Sequence, residues 1–151
     1  VRAEVRRPSE PFPETAAETA PAPSLAERIA ELNGRLRDVH FAYDRSDLSS
    51  ESLAVLDDNS GLLKPMLAEF PGLVIAVEGH CDERGSAEYN LGLGDRRAAG
   101  VSEHLQKLGV AAGRLRTISY GKEMPLCTES TEACHARNRR AHFAARAADA
   151  P

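Results

Sequence analysis

Asp82 and Arg97 are the side chains whose types and placement imply chemistry. Asp82 stands where an apolar run, Leu73-Val74-Ile75-Ala76-Val77, opens into the charged turn Glu78-Gly79-His80-Cys81-Asp82-Glu83-Arg84-Gly85-Ser86. Arg97 lies further on, in a stretch with helical spacing. A carboxylate and a guanidinium set across a concave turn can hold a zwitterion: the carboxylate takes an ammonium, and the guanidinium takes a carboxylate through two parallel bonds. Neither group suggests a nucleophile or an acid/base pair. His80 and Cys81 leave a strand on opposite faces, so they cannot act together as base and nucleophile. The chain therefore reads as a binding protein and not an enzyme, with no catalytic residues, no cofactor and no metal.

Further residues belong to the same turn. Gly85 permits a backbone that presents successive N–H groups, and the first amides of the following helix favour anions. Asn90 can orient the turn, because its amide both donates and accepts.

The elements that must position these groups follow from pattern. Residues 1–23, rich in Pro, Glu, Ala and Thr, bury too little apolar surface to fold and read as a disordered tether. Residues 24–37 read as a short amphipathic helix opened by a Ser24–Glu27 capping box. Val39 to Tyr43 reads as a strand. The helix after Ser49 carries Leu53, Leu56, Leu63 and Leu67 inward, and Pro65 is expected to kink or restart it. Leu73 to Val77 reads as a central strand covered on both faces. Ala98, Val101, Leu105 and Leu108 mark the next helix, stopped by Gly109. Leu115–Tyr120 and Arg140–Ala145 supply two more strands, joined by a loop, and residues 147–151 read as a disordered tail. This order implies an α+β fold, with helices on one face of a mixed four-stranded sheet over residues 38–146.

Composition sets limits. The 151 residues are 42% hydrophobic, with no Trp, so the core is mostly aliphatic; the net charge of −4 leaves no basic stripe for nucleic acid. No apolar run approaches the ~20 residues of a spanning helix. There are three cysteines. A bridge between Cys127 and Cys134 would close a short ring worth ~2–3 kcal/mol and suits an oxidising compartment. Zinc held by these two with His135 and His142 is the competing reading, and the spacing fits it poorly. Cys81 is left over as a small buried apolar residue.

The run Glu78 to Ala98, EGHCDERGSAEYNLGLGDRRA, closely resembles the signature of the OmpA-type C-terminal domain, and most of all that of the peptidoglycan-associated lipoprotein (Pal) family. Phe41 to Leu48, Ser119-Tyr120-Gly121-Lys122-Glu123 and Asn138-Arg139-Arg140-Ala141 follow in the family's order. The resemblance covers about residues 39–146. It implies a βαβαβ(β) two-layer sandwich that binds the peptidoglycan stem peptide at meso-diaminopimelate. Asp82 would take the ammonium of that residue and Arg97 its carboxylate. Phe41 and Asp44 match positions in the pocket wall, and Arg139 matches a position that braces the loop or the ligand. Asp82 and Arg97 are expected to pair when the site is empty. The position before Asp82, Cys81 here, is usually small or Thr.

The resemblance also implies a periplasmic protein held to the outer membrane. That attachment would run through an N-terminal lipid anchor; no cysteine precedes Val1, so the expectation is an anchor upstream. A second partner is implied as well, a TolB-type β-propeller docking on a rim of Glu83, Arg84, Glu88 and Tyr89.

Overall fold

The computed structural model describes residues 21–148. Ser24 opens helix α1 (Leu25–Arg35) through a complete capping box with Glu27. The sheet contains β1 (Val39–His40), β2 (Leu73–His80), β3 (Leu115–Gly121) and β4 (Arg140–Ala147) in the order β1-β4-β2-β3. β2 runs parallel to β3 and antiparallel to β4, so the sheet is mixed. Helices α2 (Ser50–Glu69) and α3 (Ala87–Lys107) follow β1 and β2, and a fourth helix, α4 (Glu132–Asn138), precedes β4.

Strand alternation divides the sheet into two faces. Leu73, Ile75 and Val77 of β2 and Phe143 and Ala145 of β4 join Leu32 of α1, Leu56, Leu63 and Leu67 of α2, and Ala98, Val101 and Leu105 of α3 in one buried core. Burying each Leu, Ile, Val or Phe among them is worth about 1.5–3 kcal/mol. Val74 and Ala76 face the other way and are buried as well, but they lie outside that core, so helices cover β2 on one face and not on both. The register neighbours of Val74 and Ala76 there are Arg146, Ala144 and Arg116, and long basic stems can shield apolar surface while their heads stay wet.

Several local expectations change. β1 ends at His40 instead of Tyr43, because the chain turns at Ala42–Arg45 and Asp44 adopts φ 58°, a conformation that Asp tolerates better than most residues. α2 runs unbroken through Pro65. The carbonyl that Pro65 leaves without a donor belongs to Gly61; both residues are exposed, so water can take the lost bond. In α2, Leu53 is only half-buried while Ser52 is buried, its hydroxyl donating to the His40 carbonyl at 3.0 Å. The segment before β4 is a helix, not a loop. Thr131 caps it by accepting from the Cys134 N–H, and Glu132 sits in its first turn, favourable for the positive end of the helix. β4 continues to Ala147, so Ala147 belongs to the sheet and not to a tail. Residues 1–20 and 149–151 of the expected tether and tail lie outside the described residues.

α3 lies close against β2 because two glycines meet. A Cβ on Gly79 would stand 1.9 Å from the Gly94 carbonyl oxygen, and one on Gly94 would stand 2.2 Å from the Ser119 hydroxyl. This close approach brings Arg97 within reach of the end of β2. At the far end of α3, Gly109 takes φ 105° and its N–H bonds to the Gln106 carbonyl, a glycine stop as expected. Cys127 and Cys134 form a disulfide that ties the loop after β3 to α4. Among the described residues no helix is long and apolar enough to cross a membrane.

Candidate functional site

A cavity of about 330 Å³ opens between the turn after β1, the exit of β2 and the first turns of α3. It gathers Asp44, Asp82, Gly85, Asn90 and Arg97, together with Tyr43, Arg84 and Tyr89. Gly85 holds φ 94°, the left-handed region that glycine enters freely. Asn90 fixes the turn by donating to the carbonyls of Arg84 at 2.7 Å and Ser86 at 3.1 Å. Ser86 caps α3 by accepting from the Tyr89 N–H. Lys122, from the end of β3, donates to the Gly85 carbonyl at 2.7 Å.

Asp82 is buried and does not pair with Arg97. Instead it accepts from Arg84, two residues on, through the main-chain N–H at 3.0 Å, Nε at 3.3 Å and Nη2 at 2.7 Å. Arg139 approaches from the other side at 3.6 Å. Burial pushes the Asp82 carboxyl up, but the Arg84 bonds outweigh that and hold it below its ordinary value. The Arg84 guanidinium also lies 4.0 Å above the Tyr43 ring.

Arg97 is fully buried. Nε donates to the Arg45 carbonyl at 2.8 Å, Nη1 to His80 at 2.9 Å and Nη2 to Ala42 at 3.2 Å. The expected Asp82–Arg97 pair in the empty site is therefore replaced: carbonyls satisfy the arginine, and a nearer arginine satisfies the aspartate. Burial lowers the Arg97 pKa, while Cys81 and Asp82 pull it back up. Phe41 lies under the Arg97 guanidinium at 5.0 Å and is buried, so it supports the wall from behind. Asp44 accepts from the Tyr89 hydroxyl across the cavity mouth.

Arg139 lies behind the cavity wall. It donates to the Phe41 carbonyl at 2.8 Å and to Glu132 at 2.9 Å. Of the expected rim residues, Arg84 and Tyr89 line the cavity itself. Glu83 turns toward the loop after β3, where Ser130 donates to it at 2.9 Å. Glu88 is exposed in the first turn of α3. Tyr43, 55% exposed at the mouth, is the residue that pattern reading missed as part of the site. Its alternation with Phe41 placed it in a strand that stops short of it. Cys81 is buried beside the cavity and donates its thiol to the Asn90 carbonyl at 3.3 Å; burial pushes that thiol up, against the pull of Arg97. Among the described residues no three His, Cys, Asp or Glu side chains cluster to hold a metal ion.

The family model that matches is that of the OmpA family, over residues 40–139. The peptidoglycan-associated lipoprotein of Haemophilus influenzae is 40% identical over 116 residues, which span 77% of this chain and 73% of that one. Its namesake in Brucella melitensis is 49% identical over 103 residues, 68% of this chain and 59% of that one. Among solved structures, the peptidoglycan-associated lipoprotein of Burkholderia pseudomallei superposes with a TM-score of 0.66 at 35% identity, covering 73% of this chain and 90% of that one. The C-terminal domain of Helicobacter pylori MotB superposes at 0.63 with 18% identity, over 73% and 84%, which speaks for the fold alone.

Proposed function

We propose that this chain, which belongs to the OmpA family, anchors the outer membrane to the cell wall by gripping meso-diaminopimelate in the peptidoglycan stem peptide. It is a binding protein of the periplasm and not an enzyme, in keeping with relatives named for peptidoglycan association. The supporting observation is the cavity that brings Asp82, Asp44 and Arg97 onto adjoining walls. The tip of diaminopimelate carries an ammonium and a carboxylate on one carbon. The ammonium takes the Asp82 carboxylate in place of Arg84. The carboxylate takes the donors that the Arg97 fork has left. Main-chain carbonyls occupy three of its N–H groups, and a guanidinium carries five.

Retention on purified sacculi tests this reading. Asp82→Asn keeps the side-chain shape and removes the charge, and it is expected to cut retention at least tenfold. Arg97→Lys is expected to do the same. Retention equal to the unsubstituted chain in both variants, with folding verified by circular dichroism, overturns the reading. Walls cross-linked through lysine, which lacks the second carboxylate, should retain less protein than diaminopimelate walls.

The exposed Tyr43 and Tyr89 at the mouth favour a second role for the same rim, docking of a TolB-type propeller. Addition of a diaminopimelate tripeptide to a preformed complex distinguishes the two: displacement places both partners on one surface, and coexistence separates them.

A further inference from the structure

The signature run holds residues that the diaminopimelate site does not use. Glu78 and His80 alternate with Gly79 and Cys81, so they face away from α3, toward the helix-free side of the sheet. Ile118 pairs with Glu78 in register on β3, His142 does so on β4, and Tyr120 stacks on His80 at a centroid distance of 5.3 Å. A groove of about 490 Å³ lies over this face, between β2, β4 and the loop after β3.

Three carboxylates line the groove: Asp38, Glu78 and Glu123. Asp38 is engaged, accepting from His142 at 2.8 Å and standing 3.6 Å from Arg140. Glu78 has one hydrogen-bonded partner, the His80 Nε2 at 3.1 Å. Arg140 is buried and poorly matched: its hydrogen bonds, to the Asn138 and Met124 carbonyls, are both 3.4 Å long. His80 is 2% exposed, and its Nδ1 is buried with no partner. Because Nε2 faces a carboxylate, it carries the proton, and burial keeps the ring neutral by lowering its pKa. Nδ1 is then an acceptor without a donor, which costs stability in a folded chain. The outer lip is apolar: Met124 is 54% exposed and Leu126 53%, with Ile118 nearby on the same face at 42%. Large apolar side chains gathered in one exposed patch mark a surface that contacts another molecule.

We propose that this groove docks a second protein that inserts an arginine or lysine side chain flanked by apolar residues. The carboxylates outnumber the one arginine in the lining, which disfavours an anionic occupant. Glu78, with one hydrogen-bond partner, calls for a further donor. The apolar lip would cover the stem of the inserted side chain. The site is separate from the diaminopimelate cavity, so both can be filled at once.

The test is an amide chemical-shift titration of the full ¹⁵N-labelled chain with two capped hexapeptides. One carries a central Arg between leucines, and the other carries Glu at that position. The Arg peptide is expected to shift Glu78, Met124, Leu126 and His142 and leave Asp82 and Asn90 in place, and to bind at least tenfold more tightly than the Glu peptide. Glu78→Gln combined with Glu123→Gln is expected to weaken the Arg peptide at least fivefold while retention on sacculi stays unchanged. Equal affinity for the two peptides, shifts confined to the Asp82 cavity, or no binding by either peptide overturns the proposal.

Discussion

Arg84 sets the electrostatics of the cavity before any ligand enters. It places three donors on Asp82 and holds that carboxylate ionised although it is buried. Arg84→Ala removes the two side-chain bonds and leaves the burial, so the Asp82 pKa should rise, as carboxyl NMR across a pH titration would show. Arg97 is a structural group, bonded to three main-chain carbonyls. Its removal strands three carbonyls, and bonds to charged donors are worth about 1.5–3 kcal/mol each. Arg97→Ala should therefore destabilise the fold by at least about 4 kcal/mol in urea unfolding, and Arg97→Lys should recover only part of that, since an ammonium cannot fork across three acceptors. Asp82, Gly85, Asn90 and Arg97 were legible as one cavity wall because they belong to a single turn-plus-helix run, whereas Asp44, far away in sequence, was placed there by the resemblance alone. Pattern reading misjudged their partners, because which arginine reaches Asp82 depends on side-chain paths that no spacing encodes.

At the level of elements, the contact between β2 and α3 has no slack. A methyl group on Gly79 meets the Gly94 carbonyl, and strain of this kind typically costs 1–3 kcal/mol. Gly79→Ala should sit at or above about 3 kcal/mol in urea unfolding and should also impair sacculus binding, because it moves Arg97 relative to the end of β2. The disulfide acts differently. Cys127→Ser with Cys134→Ser should cost about 2 kcal/mol on the loop-entropy estimate, read as a lower urea midpoint. Asn138 would keep much of the loop in place, as it bonds to the Leu126 N–H at 2.8 Å and the Cys127 carbonyl at 2.8 Å. Helix α4 was readable from Thr131 and Glu132 as a cap and first turn, yet its polar composition suggested a loop. Pro65 does not restart α2, which runs through it; the Gly61 carbonyl that loses its donor belongs to an exposed residue and can bond to water.

For the whole molecule, stability should depend on pH with two opposing limbs. The Asp82 pKa is lowered in the folded state, so its contribution is complete above about pH 4, the unfolded value, and is lost as pH falls through the folded value. The His142 pKa is raised, chiefly by its bond to Asp38. Its contribution is complete below about pH 6.5 and disappears as pH rises through the folded value. With the His142 side chain 43% exposed, that limb is worth less than about 1 kcal/mol. Urea midpoints between pH 3 and 9 should show the steep acid limb flattened by Asp82→Asn and the shallow alkaline limb abolished by Asp38→Asn.

Asn33 of α1 bonds both the N–H and the carbonyl of Ala145, at 2.7 and 3.1 Å, doing for β4 what a neighbouring strand would do beyond the two residues of β1. Arg28 fastens the same helix to Glu69 of α2 at 2.9 Å. Any pull on the chain ahead of Ser24 therefore enters the body through an interior strand, not a frayed edge. Mechanical load from that end would be shared across the sheet before it reached the cavity at the sheet's other end, so α1 would act as a strain relief.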